Sequence, residues 1–531
     1  LNLRYLLLEG LEVKANVGYT HFNGEELIKM PKRSYNPAGM PRHSSISGDR
    51  ARTSWIIEPQ VHYTRQWDQL QLEAFIGSTL QENNSSQFNV KGENYVAESL
   101  IGNLGAAESL INANAQHTDY RYQALFSRLG FNWDQKYYLN LTGRRDGSSR
   151  FAEGKRFANF GAIGAAWIFS EESFFEDHLN WFSFGKLRAS YGTTGSDQIP
   201  DYGYLDAYEA TPGPGGLYPT ALANPAYSWE VNKKAEVGVQ LGFLAHRLSL
   251  GISRYRNRSS NQLVGYPLPA TTGFGNVQAN LPATVENKGW EIEFSSEPFR
   301  TKPFSWQTSF NISIPQNELV RYPGLAQSPY ADRYREGEPL AIALLYAYEG
   351  LDEATGFYSV KDQNEDGVYD AEDKVVIHDQ TQAFFGGLSN TLTYKGISLQ
   401  FLFQFVKQKG SVTSLFKSGF AENQLQEFLN DAERTPQLSQ SPAAAQAYSR
   451  VVDSDLVVED ASFIRLKTLN LSYDLPDPWV KAVHLRGARF FIGGQNLWTL
   501  TNYHGMDPEQ PIGGLSFSSL RTFTGGFQVN F

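Results

Sequence analysis

The feature that most constrains this chain is a two-residue alternation of apolar and polar side chains that recurs from end to end. Ala235, Val237, Val239, Leu241 and Phe243 are interleaved with Glu236, Gly238, Gln240 and Gly242. After the short turn Leu244 to Arg247 the pattern resumes with Leu248, Leu250 and Ile252. Trp306, Thr308, Phe310, Ile312 and Ile314 alternate with Ser305, Gln307, Ser309, Asn311 and Ser313. Leu399, Phe401, Phe403 and Phe405 follow a tight turn at Lys395-Gly396, and Leu125, Leu129, Phe131 and Trp133 precede a turn at Asp134 to Lys136. Period two is the side-chain period of a strand, so each segment predicts a β-strand with one apolar and one polar face. The polar positions hold mostly Gln, Ser, Asn and Gly rather than the Lys/Glu of a solvated surface, which suits a watery interior behind a lipid-facing wall. About 17 such segments can be counted, most near the 9–11 residues that a tilted strand needs to cross a bilayer. No helical pattern separates them, which argues against a parallel β/α architecture.

The connections are unequal. Polar or Pro/Gly-rich stretches at Asp197 to Tyr227, Ser259 to Glu286, Pro315 to Gln382 and Gly410 to Asp460 alternate with very short turns. Long outer loops and short periplasmic turns are the asymmetry of outer-membrane barrels, whereas a soluble array of β-sandwiches predicts more uniform turns and inter-unit linkers. Aromatic residues make up 14% of the 531 residues, enough for an outer band and two interfacial girdles. Mean hydropathy is only −0.41. No run approaches the 18 or so apolar residues of a membrane-crossing helix, and a barrel hides from that test because its lumen-facing residues are polar. Phe523, Gly525, Phe527, Val529 and Phe531 form a last amphipathic strand of the kind handed to the outer-membrane assembly machinery. The expected fold is therefore an all-β transmembrane antiparallel barrel with long extracellular loops and no plug in this segment.

Several function classes drop out. There is no cysteine, hence no disulfide framework and no thiolate metal site. A net charge of −10 lacks the basic footprint of a nucleic-acid binder. HExxH, GxSxG and P-loop motifs are absent and the nine histidines are scattered, so no enzymatic activity is expected. One local chemical motif stands out, the twelve-residue run from Asp362 to Asp373. Its oxygen-bearing side chains and its Gly367 fall where a calcium loop needs them. Asp362, Asn364, Asp366, the carbonyl of Val368, Asp370 and Asp373 are the candidate ligands, and a structural Ca2+ ion the candidate cofactor. Position 12 is Asp rather than Glu, so a bidentate bond requires tighter closure; the alternative is an acidic surface turn holding no ion. Tyr202, Tyr204, Tyr218 and Phe274 lie in loops where rings could stack on sugars, without amounting to a binding site.

Several segments, in one order, resemble the SusC/RagA family of TonB-dependent outer-membrane transporters. Arg144-Arg145-Asp146-Gly147-Ser148-Ser149-Arg150-Phe151 is similar to that family's RRDGSSRF signature, followed by Ile168-Phe169-Ser170-Glu171-Glu172 and by Lys186 to Gly192 with Gly195. Asn224-Pro225 with Trp229-Glu230, Asn287-Lys288-Gly289 with Glu291, Ser462 to Lys467, Gly494 to Leu497 and Asp507-Pro508-Glu509 continue the series. Residues 144–531 carry it, and 1–143 fit earlier barrel strands less distinctively. The resemblance implies a barrel of 22 strands. Residues 1–531 would then be its C-terminal portion, with about five strands, the plug, the TonB box and the signal peptide upstream, since a 22-stranded barrel has a plugged lumen. Leu1 to Leu8, lacking a charged n-region and a cleavage site, fit a late start. Two sheet edges in lipid would have to be completed by other strands. It further implies uptake of an oligosaccharide or peptide, a SusD-like surface lipoprotein as partner, and coupling to TonB through the N-terminal part. Gly410 to Asp460, with a helix expected near Glu422 to Glu433, is where lipoprotein contacts are expected. Arg144, Arg145 and Asp146 are expected to pair within the protein rather than touch substrate. A SusC-like barrel serving as scaffold in an envelope complex, and a secreted carbohydrate-binding β-protein, are the alternatives.

Overall fold

A computed structural model describes residues 1–176, 181–210, 215–301, 303–412, 441–511 and 518–531. Among the described residues, 17 strands form one sheet and four further two-stranded sheets form in the connections. Helices are short, the longest described being Pro442–Val451. The expected helix near Glu422 to Glu433 lies outside the described residues.

The chain divides into two compact units, 1–165 with 190–233 and 260–281, and 166–189 with 234–259 and 282–531. In the first, Asn2–Leu8, Leu11–Met30, His43–Trp67, Leu70–Tyr95, Ser109–Trp133 and Tyr137–Ser148 pair antiparallel in chain order. In the second, the 284–300 part of Asn276–Arg300 starts a similar meander through Phe304–Arg321, Phe384–Tyr394, Ile397–Lys407, Phe463–Asp474, Gly487–Thr501 and Thr522–Asn530. The turns fall where the sequence placed them: two residues at Lys395-Gly396, three at Asp134 to Lys136 and four at Leu244 to Arg247. Asp134 and Gln135 (φ 53° and 56°) and Lys395 and Gly396 (48° and 87°) take left-handed conformations, which match the right-handed twist of the flanking strands.

Two expectations about length fail. Leu11–Met30, His43–Trp67, Leu70–Tyr95 and Ser109–Trp133 run to 20, 25, 26 and 25 residues, about twice what a crossing needs. The stretch Ser259 to Glu286 is mostly strand, since Leu248–Pro267 and Asn276–Arg300 extend through it. The reason is the same in both cases. Segments such as Asn83-Asn84-Ser85-Ser86-Gln87 have no apolar set to bury, yet they register residue by residue on both neighbours. Backbone pairing is indifferent to side-chain polarity, whereas hydropathy alternation reports only the part of a strand that faces lipid.

The buried clusters sit beside the connections, not across the sheet. Phe151, Ile199, Tyr227 and Trp229 make one cluster in the first unit, and Tyr358, Val412, Tyr448, Val451 and Val457 another in the second.

Candidate functional site

Register fixes what each face of the sheet presents. In the first unit one row runs Trp67, Leu70, Trp133, Tyr137, and a parallel one Tyr63, Ala74, Leu129, Leu141. The opposite face carries the row Glu12, His62, Phe75, Arg128, Thr142. In the second unit Trp306, Leu392, Leu399, Leu471 and Ile492 share a row, as do Phe294, Phe310, Leu388, Phe403 and Leu466. Its other face holds Glu293, Asn311, Gly387, Gln404, Arg465 and Thr499. The apolar face is uncovered: Trp133 is 57% exposed and Ile76 52%. So large an apolar surface is stable only against lipid, which makes the polar face the one turned to water.

On the polar face of the second unit lies a recess of 650 Å³ whose lining includes Asn311, Gln404, Lys467, Gln495, Asn496 and Glu509. Four amides share it with Ser313, Thr468, Phe385 and Leu402, beside one ion pair in which Lys467 Nζ donates to Glu509 Oε1 at 2.7 Å. Such a wall offers hydrogen bonds in both directions and can hold a polar solute without demanding one charge.

Within each unit the motif residues pair with one another and with neighbouring segments. Arg465 is 4% exposed; its Nη2 donates to Asp507 Oδ1 and its Nη1 to Glu509 Oε2, both at 2.6 Å, while Nε reaches Thr499 Oγ1 at 2.9 Å. Asp507 also accepts from the Ser519 and Glu509 amides, at 2.9 and 3.0 Å. Burial alone would raise the Asp507 carboxyl, but these donors hold it below its ordinary value. In the first unit Arg144 donates to Asp146 Oδ1 at 2.5 Å and to the Tyr122 hydroxyl at 2.6 Å, and Tyr122 in turn donates to Asp146. Ser148 and Tyr120 both donate to Asp197 Oδ2, at 2.7 and 2.8 Å, and Arg150 pairs with Asp201 at 2.8 Å. Phe151 is fully buried against Tyr227 and Trp229. As expected, Arg144, Arg145 and Asp146 pair within the protein; Arg145 packs over Phe157 and donates to Asn159. Tyr120, Tyr122, Asp197 and Asp201 escaped the sequence reading, because no spacing rule joins residues up to 77 positions apart. Of the loop aromatics, Tyr202 donates to the Asp119 carbonyl and accepts from its amide, and Tyr218 donates to Glu209 at 2.7 Å.

The Asp362–Asp373 segment closes into a loop by bonding its own backbone. Gly367 turns with φ 79° and its amide donates to Asp362 Oδ2 at 2.8 Å. Asp373, only 1% exposed, accepts from the Gln363 and Asp370 amides at 2.7 and 3.0 Å, and those amides hold its carboxyl below the ordinary value. Asp366 accepts from the Val368 amide and Asp370 from the Glu372 amide, while Asn364 donates to Asp366. One oxygen, Asp362 Oδ1, is buried with no hydrogen-bond partner. The carboxylates do not converge: among the described residues no three His, Asp or Glu side chains come close enough to share an ion.

Comparison with known proteins places these observations. The family model described as TonB dependent receptor-like, beta-barrel matches residues 1–497. TonB-dependent receptor P3 of Formosa agariphila is 26% identical over 99% of this chain and 57% of its own length. TonB-dependent receptor P39 of the same species is 29% identical over 75% of this chain and 44% of its own. SusC of Bacteroides thetaiotaomicron is 27% identical over 73% of this chain and 41% of its own. The RagAB peptide transporter structure superposes with a TM-score of 0.86 at 24% identity, covering 99% of this chain and 61% of that one. The chain thus spans about half the length of the curated relatives it matches. With its uncovered apolar face, its polar opposite face and these matches, the chain belongs to the TonB-dependent receptor β-barrel family of the outer membrane.

Proposed function

We propose that residues 1–531 are the C-terminal barrel portion of a transporter that takes up an oligosaccharide or peptide across the outer membrane. In this reading a SusD-like surface lipoprotein covers the outer mouth. Strands, plug and TonB box outside this chain complete a 22-stranded wall and couple it to TonB. The observation that carries it is the recess on the polar face, where Asn311, Gln404, Gln495 and Asn496 offer hydrogen bonds, opposite an uncovered apolar face. A scaffold has no need of a hydrogen-bonding recess on its inner side. The decisive experiment is uptake of labelled oligosaccharide and peptide mixtures by cells carrying the full-length receptor, with and without TonB. TonB-dependent loss of one mixture from the medium supports the proposal and chooses the substrate class. Uptake unchanged by deleting the receptor sinks it.

A structural calcium ion in the loop 362–373 is the second part of the proposal. Its support is the oxygen-only donor set of Asp362, Asn364, Asp366, Asp370, Asp373 and the Val368 carbonyl, the left-handed Gly367, and the unpartnered Asp362 Oδ1. The ion would neutralise the loop's carboxylates and stiffen the loop. Asp362 and Asp366 would have to swing toward one another, since the closed loop uses their oxygens on its own amides. Calorimetry with calcium on the full-length receptor, with Asp362→Ala as control, tests it; no calcium heat above that of the variant removes this part.

A further inference from the structure

On the strand Leu248–Pro267, the positions that continue the apolar face are Leu248, Leu250 and Ile252, and then Arg254, Arg256 and Arg258. The neighbouring strand repeats the change in the same direction. Phe294, Ile292 and Trp290 are followed on that face by Lys288 and Glu286, and register pairs Trp290 with Ile314 and Glu286 with Glu318 on the next strand. Contacts confirm that the arginines share this face. Arg254 lies over the Trp290 ring at 5.2 Å, and Arg256 Nε donates to Glu286 Oε2 at 2.7 Å, joined there by Arg258 Nε. Lys288 bridges Glu286 and Glu318, at 3.2 and 2.9 Å. Glu286 itself is buried beneath them, its side chain 5% exposed.

The lipid-facing surface of the second unit therefore passes from an apolar band, through an exposed Trp290, to a belt of four cations against two carboxylates. The excess of positive charge is local, because the chain as a whole carries −10. The belt lies beyond the apolar band as seen from the short turn Leu244 to Arg247, hence on the long-loop, outer side. Glu286 engages only the Nε of each arginine. Among the described residues, the Nη ends of Arg256 and Arg258 have no protein acceptor, and their side chains are 52% and 43% exposed. The free edge of a guanidinium is the two-pronged donor that phosphate oxygens match best. Glu286 holds both arginines in place from below, so less side-chain freedom is lost on binding.

We propose that Arg254, Arg256, Arg258 and Lys288 bind the phosphorylated headgroup of an outer-leaflet lipid whose acyl chains lie along the apolar band beneath Trp290. This site rests on the outer-membrane assignment and not on transport, so either reading can fail without the other. A soluble phosphate compound would have no use for the adjoining band, whereas a lipid engages both.

The test is native mass spectrometry of the full-length receptor in mild detergent, titrated with bisphosphorylated lipid A and with the same lipid stripped of both phosphates. The phosphorylated form is expected to bind at least about tenfold more tightly. A variant combining Arg256→Gln, Arg258→Gln and Glu286→Gln, which leaves no buried charge unpaired, should lose that preference. Arg254→Gln, which keeps every partner of Glu286, should weaken it and serves as the decisive variant if the triple one does not reach its heat-modifiable folded form. Equal binding of the two lipids, or retention of the preference by folded variants, overturns the proposal. Displacement of lipid A by low-millimolar inorganic phosphate would also overturn it, assigning the belt to a soluble anion.

Discussion

Asp507→Ala is expected to release the 502–511 connection from the sheet, and the cost follows from which groups lose their partners. Arg465 would remain buried, with Glu509 and Thr499 but without the Asp507 carboxylate. Removing one member of a buried charge pair costs about 3–5 kcal/mol, because the other charge stays desolvated. Retention of Glu509 puts this case at the low end, about 3 kcal/mol, or roughly a 150-fold increase in local opening. Arg465→Met is the informative counterpart. Asp507 would keep two backbone amides and Glu509 would keep Lys467, so the loss should be about 1 kcal/mol. Hydrogen exchange of the full-length receptor in detergent reads both. The Gln510 amide, which donates to the Asp507 carbonyl at 3.0 Å, is untouched by either substitution. Its protection should fall roughly a hundredfold in Asp507→Ala and less than tenfold in Arg465→Met. Equal losses, or a larger one in Arg465→Met, would refute the reasoning, since the arginine and not the carboxylate would then be the anchor.

Three further outcomes follow from other contacts. Gly289→Ala would place a Cβ 2.6 Å from the Tyr255 hydroxyl and 2.9 Å from the Ile314 carbonyl, and the latter is backbone that cannot yield. A loss of about 1–3 kcal/mol is expected in urea unfolding of the reconstituted receptor. Trp306→Phe would orphan Asn390, which sits 6% exposed on the apolar face and accepts from the indole at 2.9 Å. The expected loss is about 1–3 kcal/mol, with Asn390→Leu restoring much of it in the double variant. Asp373 has its folded pKa depressed by the Asp370 and Gln363 amides, so its contribution is complete at neutral pH and is lost as pH falls through the ordinary carboxylate range to the folded value. Protease cleavage within 362–373 should accordingly rise in acid, and Asp373→Ala should cleave at neutral pH at the acid rate; a flat pH profile would contradict this.

Strand identity, hairpin turns and the two-faced character of the sheet could be read from the sequence, because alternation and turn chemistry are local. A residue's face is set by its parity, and Lys395-Gly396 announces its own turn wherever the strands go. The calcium-like spacing of Asp362 to Asp373 was visible for the same reason. The disposition of its carboxylates was not, since whether an oxygen takes an amide or an ion depends on how the loop closes. The extent of the strands was hidden as well. Beyond the lipid, in stretches such as Asn83 to Gln87, nothing in the side chains marks a partner, and only register with the neighbours makes them strand. Arg465 with Asp507, Ser148 with Asp197, and Arg256 with Glu286 were beyond any sequence pattern. Each joins residues at least 30 positions apart, across strands or between a strand and a connection, and no sequence period measures such distances. The alternating arginines at 254, 256 and 258 are the intermediate case. Their parity puts them on the apolar face from sequence alone, but only the tertiary structure supplies the buried Glu286 that holds two of them there.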